Sequence, residues 1–582
     1  MFKYSCFVIM VKQEYIFRYP IEYVKHNTEI KQNVLDDLEL IKFNNEEEKH
    51  KGIVEQVIEP QSIFGKQCLD DLCKHTTTNI DYLKDTQNIL NKLPTLNQNI
   101  KLHDKMAETW YDIINDENFI NKYKYIDIKY FEKLNNSSLF LQLLSIYNLS
   151  SPIMFFIVPL IMLLVPFFIL KFKKLDVSMG SYVSLLKKVL KNHTLGMLLN
   201  TKYKEINWGT AAYVAFSLGF YLFQVYQNVI SCINYYKNMR KIHEYVFTIK
   251  DFLIETRDTI CSLEQLYSKQ KSYSEFSETM VHYKLDVNKY ITELNEITPM
   301  NINISKGAQL GYIMKHFHMF YKDEHVRNII DYAFHLNGYL DYMTGVKRLI
   351  VSKKINKCSF GKTTKMKKSY YAKFINDKYV ANDVNFKKNM IITGPNAAGK
   401  TTLIKTSMIN IIFSQQIGYG FYKSAVINPY DHIHSYLNIP DTSGRDSLFQ
   451  AEARRCKEII DVFNSNDKAR HFCIFDELYS GTNPYEAVGS AYGFLKYINN
   501  KKNIDFMITT HYGNLCILME KEKNVSNKHM KIELLDNNYT FNYTYKMENG
   551  ISQIKGGFKV LKDLDYPPEL LDTIQHISCK LI

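Results

Sequence analysis

The fold of this chain is decided by the stretch MIITGPNAAGKT, residues 390–401. Its first four residues predict a buried strand, and the apolar positions that follow Thr401 predict a helix. A GxxxxGK[ST] motif between a strand and a helix is typical of a phosphate-binding loop, in which glycines let backbone N–H groups surround phosphate oxygens at a helix N-terminus. The residues expected to bind the nucleotide are Gly394, Pro395, Asn396, Ala397, Ala398, Gly399, Lys400, Thr401 and Thr402.

Two acidic residues follow a second apolar strand further along the chain. Residues 472–475 read FCIF and are followed by Asp476 and Glu477. We expect Lys400 to place its charge on the β- and γ-phosphates, and Thr401 and Asp476 to hold the Mg²⁺ that accompanies ATP as substrate. Glu477 is placed to polarise the attacking water as a general base.

A third apolar strand, residues 504–509, is followed by a Thr-His pair that ends at His511. The imidazole of His511 can sense a γ-phosphate, so we include it with the catalytic residues. Sheets of α/β proteins bind their ligands at the carboxyl ends of the strands. Because three strands end in functional side chains, we expect Lys400, Asp476 and His511 to meet in one crevice.

Ser447 opens the segment SLFQAEARR, where apolar periodicity predicts a helix and the serine, taken alone, is a helix N-cap. The order and spacing of five motifs indicate more than a helix N-cap. YVAND (379–383), GPNAAGKTT, SLFQAE, DELYSGTNP (476–484) and TTHYGNL (509–515) together resemble the ATPase domain of the MutS DNA mismatch-repair family, which belongs to the ABC class of ATPases. The resemblance covers about residues 375–582.

The resemblance implies a homodimer that closes on ATP and couples this closure to DNA binding. In the family, the signature serine reaches across the dimer to the partner's γ-phosphate, and this role falls on Ser447. The family's adenine-stacking aromatic residue corresponds to Tyr379. Gly550-Ile-Ser552 and residues 570–574 resemble the helical dimerisation tail.

The chain also departs from the family pattern. Lys423-Ser424-Ala425 stands where the family has Val-Pro-Ala, and Tyr479-Ser480 stands where it has Gly-Arg. A mismatch-reading N-terminal domain is not visible in the sequence. Combined with the apolar segments described next, these features resemble a membrane-associated MutS-like branch.

Two segments are apolar enough to suggest a membrane. Residues 153–170 read IMFFIVPLIMLLVPFFIL and are followed by lysines, which predicts a transmembrane helix over about 152–170. A second span is predicted over 209–230, where small residues suit close helix contact. In a hairpin with a cytosolic ATPase domain, the basic loop between the two spans would lie on the far side of the membrane, against the positive-inside tendency. Two alternatives therefore stay open: the second segment lies at the membrane interface, or both segments form a re-entrant anchor. We expect a membrane-associated protein with its ATPase domain on the cytosolic side.

Composition sets broader bounds. The net charge of +13 permits nucleic acid or anionic lipid as a partner and selects neither. The ten cysteines include no CxxC pair, which favours free thiols in a reducing compartment over a zinc site. A heptad-like seam predicts a long packed helix; its residues are Ile249, Leu253, Thr256, Ile260, Leu263 and Tyr267.

The expected fold class is an α-helical N-terminal and middle region with one or two transmembrane helices, followed by a C-terminal α/β P-loop domain of the ABC type. The expected segments are a helical region over 1–150, a membrane anchor over 151–232, a helical core or lever over 233–350, a basic linker over 351–374 and the ATPase domain over 375–582.

Two functions fit these features. The first is ATP hydrolysis that drives dimer closure coupled to DNA binding of the mismatch-repair type. The alternative is a membrane-anchored ATPase that remodels proteins or membranes without nucleic acid. A scaffold that binds nucleotide without hydrolysis is disfavoured, because every expected catalytic residue is present.

Overall fold

The computed structural model describes residues 17–42, 51–173, 178–189, 208–299, 308–437, 439, 447–535, 540–554, 561, 564–571 and 573–574. These residues fall into two compact units. Asp104–Glu255 and Leu285–Ile330 belong to the first, here called the helical unit. The second, the sheet unit, takes its residues from Gln13–His103, Thr256–Lys284 and Asp331–Ile582.

Helices and strands are numbered in chain order. The helices described are α1 (Gln32–Asp37), α2 (Ile53–Ile58), α3 (Ile63–Gln67), α4 (Leu69–Leu72), α5 (Ile80–Lys92), α6 (Ile100–Ile114), α7 (Phe119–Lys122), α8 (Ser138–Phe172), α9 (Met179–Val189), α10 (Trp208–Ser268), α11 (Ser274–Asn295), α12 (Leu310–Lys322), α13 (Glu324–Val351), α14 (Lys400–Ile417), α15 (Leu448–Ser465), α16 (Pro484–Asn499) and α17 (Gly513–Glu520). The strands described are β1 (Asn27–Glu29), β2 (His75–Thr77), β3 (Asn356–Phe360), β4 (Lys365–Ser369), β5 (Asn382–Asn385), β6 (Asn389–Thr393), β7 (Tyr419–Gly420), β8 (Ser424–Ile427), β9 (His432–Tyr436), β10 (His471–Asp476), β11 (Ile504–Thr509), β12 (Val525–Leu535) and β13 (Thr540–Asn549).

A six-stranded sheet organises the sheet unit, with the strand order β13-β12-β6-β11-β10-β9. The five strands from β12 to β9 run parallel, whereas β13 pairs antiparallel with β12. The three strands predicted from the sequence are therefore confirmed as β6, β10 and β11. Their parallel direction brings their carboxyl ends to one edge of the sheet.

The core of this sheet is built from apolar side chains of β10, β11, α15 and α16. Its residues include Cys456, Ile459, Phe475, Phe494, Leu495, Phe506 and Ile508, all of them buried. Buried parallel strands flanked by helices are the usual form of an α/β domain, because both faces of the sheet are covered. The α/β character predicted for the C-terminal part is thus present in the structure.

A five-stranded sheet, with the order β5-β4-β8-β3-β7, contains two lysine-bearing strands, one with a single lysine and one with three. These strands, β3 and β4, occupy part of the segment 351–374 that we expected to be a basic linker. Cys358 and Met366 are buried, whereas Lys357 and Lys367 are exposed. Buried and exposed side chains therefore alternate as in a half-buried strand. In so short a segment, the many lysines make this alternation hard to recognise in the sequence.

Helix α14, which follows the phosphate loop, is buried along most of its length and is held by N-terminal residues. The side-chain amide of Gln416 donates to the carbonyl oxygens of Cys73 and His75, at 3.1 Å each. The Gln87 amide donates to the carbonyl oxygen of Gly418 at 2.7 Å. Residues before position 103 thus contribute to the same unit as the phosphate loop, where the sequence suggested a separate region over 1–150.

The helical unit is held by close helix contacts. The backbone N–H of Gly311 in α12 donates to Gln142 Oε1 in α8 at 2.8 Å. A Cβ at Gly311 would lie 2.1 Å from the carbonyl oxygen of Ser138, so only glycine permits this approach. Tyr235 of α10 donates to Ser145 Oγ of α8 at 2.7 Å. The helical character expected for the middle of the chain is confirmed.

The seam predicted within α10 is also confirmed. Ile249, Leu253, Thr256, Ile260, Leu263 and Tyr267 are all buried. These six residues recur at intervals of three and four, which places them along one side of the helix.

The apolar segments have different limits from those expected. The first lies in α8, which begins at Ser138 and is 35 residues long. In the part of the chain that the structure describes, one helix is long and apolar enough to cross a membrane, over the window Ser138–Phe155. The second expected span, 209–230, lies within α10 and is not apolar enough to count as a candidate membrane helix. Residues 174–177 and 190–207 of the basic loop lie outside the described residues.

Candidate functional site

The phosphate loop follows β6, whose five residues are all buried. Ala397 and Gly399 have φ angles of +63° and +89°, a conformation that turns successive backbone N–H groups toward one point. A Cβ at Gly399 would lie 3.0 Å from Tyr545 Cδ1. Glycine is thus required at position 399 by both the backbone angle and the neighbouring ring.

Lys400 is the first residue of α14 and is 6% exposed. Its ammonium group donates to the carbonyl oxygens of Gly394 at 2.9 Å and Pro395 at 3.3 Å. Its Nζ also lies 3.7 Å from Glu477 Oε1. The lysine charge is therefore held inside the loop, where phosphate oxygens are expected.

Thr401 and Asp476 are joined directly, as expected for two residues that share a metal. Thr401 Oγ1 donates to Asp476 Oδ2 at 2.8 Å. The other carboxylate oxygen of Asp476 accepts a hydrogen bond from the Thr509 hydroxyl. A hydroxyl and a carboxylate next to a phosphate loop are oxygen ligands of the kind that Mg²⁺ prefers, so the residues present fit this ion.

Glu477 lies between Lys400 and His511. Its carboxylate is 3.6 Å from His511 Nδ1, and its backbone N–H donates to the carbonyl oxygen of Thr509 at 3.1 Å. The His511 imidazole, together with Lys400, holds the pKa of the Glu477 carboxyl below its usual value, against the opposing effect of partial burial. The carboxylate is therefore ionised at neutral pH, as a general base must be.

A cleft of about 600 Å³ opens beside the phosphate loop. Its lining includes Tyr379, Asn382, Pro395, Asn396, Ala397, Gly399, Lys400, Thr401, Thr402, Glu477, Met530 and Tyr545. The Tyr379 ring stacks on the Tyr370 ring at 4.0 Å and an interplanar angle of 13°. Since its side chain is 48% exposed, Tyr379 presents a ring face to the cleft that a flat base can contact.

The hairpin β12–β13 supplies one wall of this cleft through Met530 and Tyr545, a contribution that the motifs did not predict. The Asn382 side-chain amide donates to the carbonyl oxygen of Tyr545 at 2.9 Å, and Asn382 Oδ1 accepts from the backbone N–H of Met547 at 2.8 Å. Tyr545 thereby reaches the phosphate loop. The alternating aromatic residues of FNYTYKMEN were the available signal for a functional strand.

Ser447 occupies the N-cap of α15. Its hydroxyl accepts from the backbone N–H of Gln450 at 3.3 Å, and Gln450 Oε1 accepts from the Ser447 N–H at 3.0 Å. The side chain is exposed and is not among the described residues that line the cleft. Lys400, Thr401, Asp476, Glu477, His511 and Tyr379 are thus brought together, and Ser447 stands apart from them.

The predicted dimerisation tail is described only in part. Gly550, with φ +112°, donates its N–H to the carbonyl oxygen of Asn527 at 3.1 Å. The Ser552 N–H donates to Thr393 Oγ1 at 2.8 Å, which places this residue against the end of β6. Residues 555–560, 562–563, 572 and 575–582 lie outside the described residues.

Residues 390–581 match the family described as MutS domain V. The DNA mismatch repair protein MutS of Bacteroides thetaiotaomicron is 24% identical over 369 residues, which are 61% of this chain and 39% of that relative. The DNA mismatch repair protein MutS of Bacteroides fragilis is 28% identical over 214 residues, 36% of this chain and 24% of the relative. The DNA mismatch repair protein Msh2 of Dictyostelium discoideum is 30% identical over 211 residues, 35% and 22% of the two chains.

These matches confirm the resemblance to the MutS family that the motifs indicated. The chain spans 39% or less of the length of these three relatives. The similarity therefore identifies a part that is shared with mismatch-repair proteins.

Proposed function

We propose, from the match of residues 390–581 to MutS domain V, that this chain binds and hydrolyses ATP as a homodimer and couples dimer closure to DNA binding. The observation that carries the proposal is the convergence of three strand ends. Side chains that follow β6, β10 and β11 lie within 4 Å of one another through the pairs Thr401–Asp476, Lys400–Glu477 and Glu477–His511.

Nucleotide binding begins with an exchange of partners at Lys400. The ammonium group now donates to two carbonyl oxygens of its own loop, and phosphate oxygens offer a charged acceptor in their place. Hydrogen bonds to charged groups are stronger than those to neutral ones, so the exchange favours the bound state. Tyr379 then supports the base by stacking.

Hydrolysis needs a base, a neighbour that holds the base in position, and charge neutralisation. Glu477 accepts the proton of the attacking water, and His511 lies 3.6 Å from its carboxylate to hold it in position. Thr401 and Asp476 would hold Mg²⁺, which neutralises charge on the phosphates when bound. Ser447 is exposed on its own subunit, which suits a residue that acts at the site of a partner.

DNA as the coupled ligand is supported by two features. The relatives are named as DNA mismatch repair proteins, and the chain carries a net charge of +13. Nucleic-acid binding that depends on such charge weakens steeply with salt. Gel-shift assays with homoduplex, mismatched and single-stranded DNA at physiological salt test this part, and an absence of binding to all three would remove DNA from the proposal.

ATP turnover is tested separately, by measuring phosphate release from the purified full chain. We expect turnover to require Mg²⁺. Because only the dimer is expected to be active, turnover should rise more than linearly with protein concentration where dimerisation is incomplete. A preparation that binds no nucleotide, or whose turnover survives the loss of Lys400, would contradict the ATPase assignment.

Membrane association is a second proposal, and it is supported by the exposure of apolar side chains along α8. The exposed residues there include Ile153, Ile157, Ile161, Leu164, Phe168 and Phe172. Contiguous exposed apolar surface marks a site of interaction with protein or lipid. Flotation of the full chain with liposomes tests it. Stimulation of ATP turnover by liposomes and not by DNA would favour the membrane-remodelling alternative, with the ATPase part on the cytosolic side.

A further inference from the structure

Glu452, the last residue of the SLFQAE motif, is a buried carboxylate with an unusual set of partners. Its side chain is 2% exposed. Oε1 accepts from the backbone N–H of Ser480 at 3.0 Å and from the Ser480 hydroxyl at 2.9 Å, and Oε2 accepts from the backbone N–H of Gly481 at 3.2 Å. Among the described residues Glu452 forms no ion pair, and the neutral donors of Ser480 and Gly481, with the nearby Tyr436 hydroxyl, satisfy its buried carboxyl group.

The residues that Glu452 holds form the turn after β10, residues 477–483, which begins with the proposed general base. Glu477 and Tyr479 have φ angles of +50° and +57°. Non-glycine residues adopt this conformation only where surrounding contacts impose it. The geometry of the turn, and with it the direction of the Glu477 side chain, therefore depends on what packs against it.

The turn packs against the first turn of α15. The Tyr479 and Phe449 rings lie 5.6 Å apart. A Cβ at Gly481 would lie 2.7 Å from Leu448 Cγ and 2.8 Å from the Phe449 backbone nitrogen. Backbone contact this close leaves no room for the turn and the start of α15 to shift independently.

Ser447 is the N-cap of the same first turn. One rigid link thus joins Glu477, at this subunit's own phosphate site, to Ser447, which under the proposed function acts at the partner's site. Glu452 reaches from α15 to the turn through three hydrogen bonds, two to Ser480 and one to Gly481.

We propose that Glu452 is a positioning residue that transmits the state of one ATP site to the other. The inference rests on the proposed function. When nucleotide changes the contacts of Glu477, the turn 477–483 shifts, and Glu452 carries this shift to Ser447. Each subunit then offers its serine to the partner in a position set by its own ATP, which couples the two sites of the dimer.

The substitution Glu452→Gln tests the link with little change in volume. Glutamine keeps one carbonyl oxygen for Ser480, but its NH₂ group faces the N–H of Gly481, so donor opposes donor at one of the three contacts. Glu458→Gln is the matched control, because Glu458 lies on the same helix with a side chain that is 54% exposed.

The coupling can be measured by hydrogen–deuterium exchange of the full chain. The probe is a non-hydrolysable ATP analogue with Mg²⁺. In the unsubstituted protein and in Glu458→Gln, we expect the analogue to protect both residues 394–405 and residues 447–456. In Glu452→Gln, protection of 394–405 should persist and the response of 447–456 should be lost. An undiminished response of 447–456 in Glu452→Gln would overturn the inference.

Turnover gives an independent reading. Glu452→Gln should lower kcat by about 10- to 100-fold with little change in KM, because misplacement of a reacting group by about 1 Å costs up to about 10² in rate. If Glu452 acts through Ser447, adding Glu452→Gln to Ser447→Ala should cause no further loss. Multiplied losses in the double variant would mean that Glu452 acts by another route, and the inference would fail.

Failure of the proposed function looks different. If the analogue protects neither 394–405 nor 447–456 in the unsubstituted protein, nucleotide is not bound, and the proposed function falls together with the inference. If 394–405 is protected and 447–456 does not respond in any form of the protein, only the coupling is overturned.

Discussion

Thr401 Oγ1 donates a hydrogen bond to Asp476 Oδ2 at 2.8 Å, although 75 positions separate the two residues in the chain. Thr401 lies after β6 and the phosphate loop, Asp476 is the last residue of β10, and β11 lies between these two parallel strands. Its last residue, Thr509, hydrogen-bonds the second oxygen of the same carboxylate. The Asp476 carboxylate is therefore held from two sides, which would lower the entropic cost of binding a Mg²⁺ ion there under the proposed function.

Replacing Lys400 with alanine should abolish detectable ATP binding at concentrations near the Kd of the unsubstituted protein. Hydrogen bonds to charged groups contribute about 1.5–3 kcal/mol each, so the loss should exceed about tenfold in affinity. Titration with a fluorescent ATP analogue measures it. Lys388→Ala removes an exposed lysine close to β6 and should leave the affinity unchanged. Equal affinity of Lys400→Ala and the control would exclude the loop as the phosphate site.

Glu477→Gln should retain ATP binding, lose turnover and trap a closed dimer. The pKa of the Glu477 carboxyl is held below its usual value by His511 and Lys400. The ionised form therefore persists as pH falls, and the base is lost only when pH passes below the ordinary glutamate range. We expect no decline in kcat attributable to Glu477 between about pH 8 and pH 5.5. Unchanged turnover in Glu477→Gln, with exposed Glu520→Gln as control, would refute the base assignment.

Ser447→Ala should damage turnover while ATP affinity stays within about twofold, since the expected contact is made by the partner subunit. Loss of the N-cap hydrogen bond to Gln450 costs about 1 kcal/mol of stability. Ser447→Thr retains an N-cap hydroxyl and separates the two effects. Mixing Ser447→Ala with Lys400→Ala should restore part of the turnover that each variant lacks alone, because the mixed dimer has one site with both Lys400 and the partner's serine.

Tyr379→Ala should raise the Kd for ATP, because stacking of a base on an aromatic ring contributes about 1–3 kcal/mol. Tyr379→Phe keeps the ring and should bind normally. Competition by inorganic tripolyphosphate, which has no base, should be the same in both variants. A loss of tripolyphosphate binding in Tyr379→Ala would show that the substitution disturbs the phosphate loop and not a base contact.

A buried histidine pair makes the sheet unit sensitive to acid. His434 Nε2 lies 3.1 Å from His471 Nδ1, and both rings are buried. Burial lowers the pKa of both, for His471 to about 4. Below the ordinary histidine range the unfolded chain binds protons that the folded chain does not, so stability is full above that range and declines as pH falls toward 4, by up to about 1.4 kcal/mol per pH unit for each ring.

Urea denaturation between pH 7.5 and 5 measures this decline. His434→Gln keeps a polar partner for His471 and removes one titrating ring, so the dependence on pH should become shallower. The exposed His282→Gln should retain the full dependence. An identical slope in all three proteins would assign the acid sensitivity to other groups.

The parts of the site that the sequence predicts are those in which one short motif determines both the local structure and the chemistry. Lys400 and Thr401 follow a strand, Asp476 and Glu477 follow another, and His511 a third. Parallel pairing of the three strands then brings these side chains to one edge of the sheet, so no other sequence signal is needed to predict that they meet. This is why β6, β10 and β11 and their functional side chains could be named in advance.

Tyr545 could not be named because its position depends on distant pairing. It reaches the cleft through the registers of β12 on β6 and of β13 on β12, and through the hydrogen bond from Asn382. The predicted start of α8 was wrong for another reason. Hydropathy marks the apolar part of a helix and not its ends, whereas the Ser137 N-cap, which accepts from the Phe140 N–H at 3.3 Å, marks the true start.

The glutamine amides at the end of α14 have a consequence for any shortened form of this protein. A polypeptide that starts at residue 390, where the similarity to MutS domain V begins, would keep every phosphate-binding residue and lose the acceptors of Gln416. Each of these hydrogen bonds contributes about 0.5–1.5 kcal/mol net, and that contribution is lost when water replaces the missing carbonyl oxygens. The stretch that matches MutS domain V is thus shorter than the stretch that must fold together, and changes near Cys73 or Gln87 should affect the phosphate loop through α14.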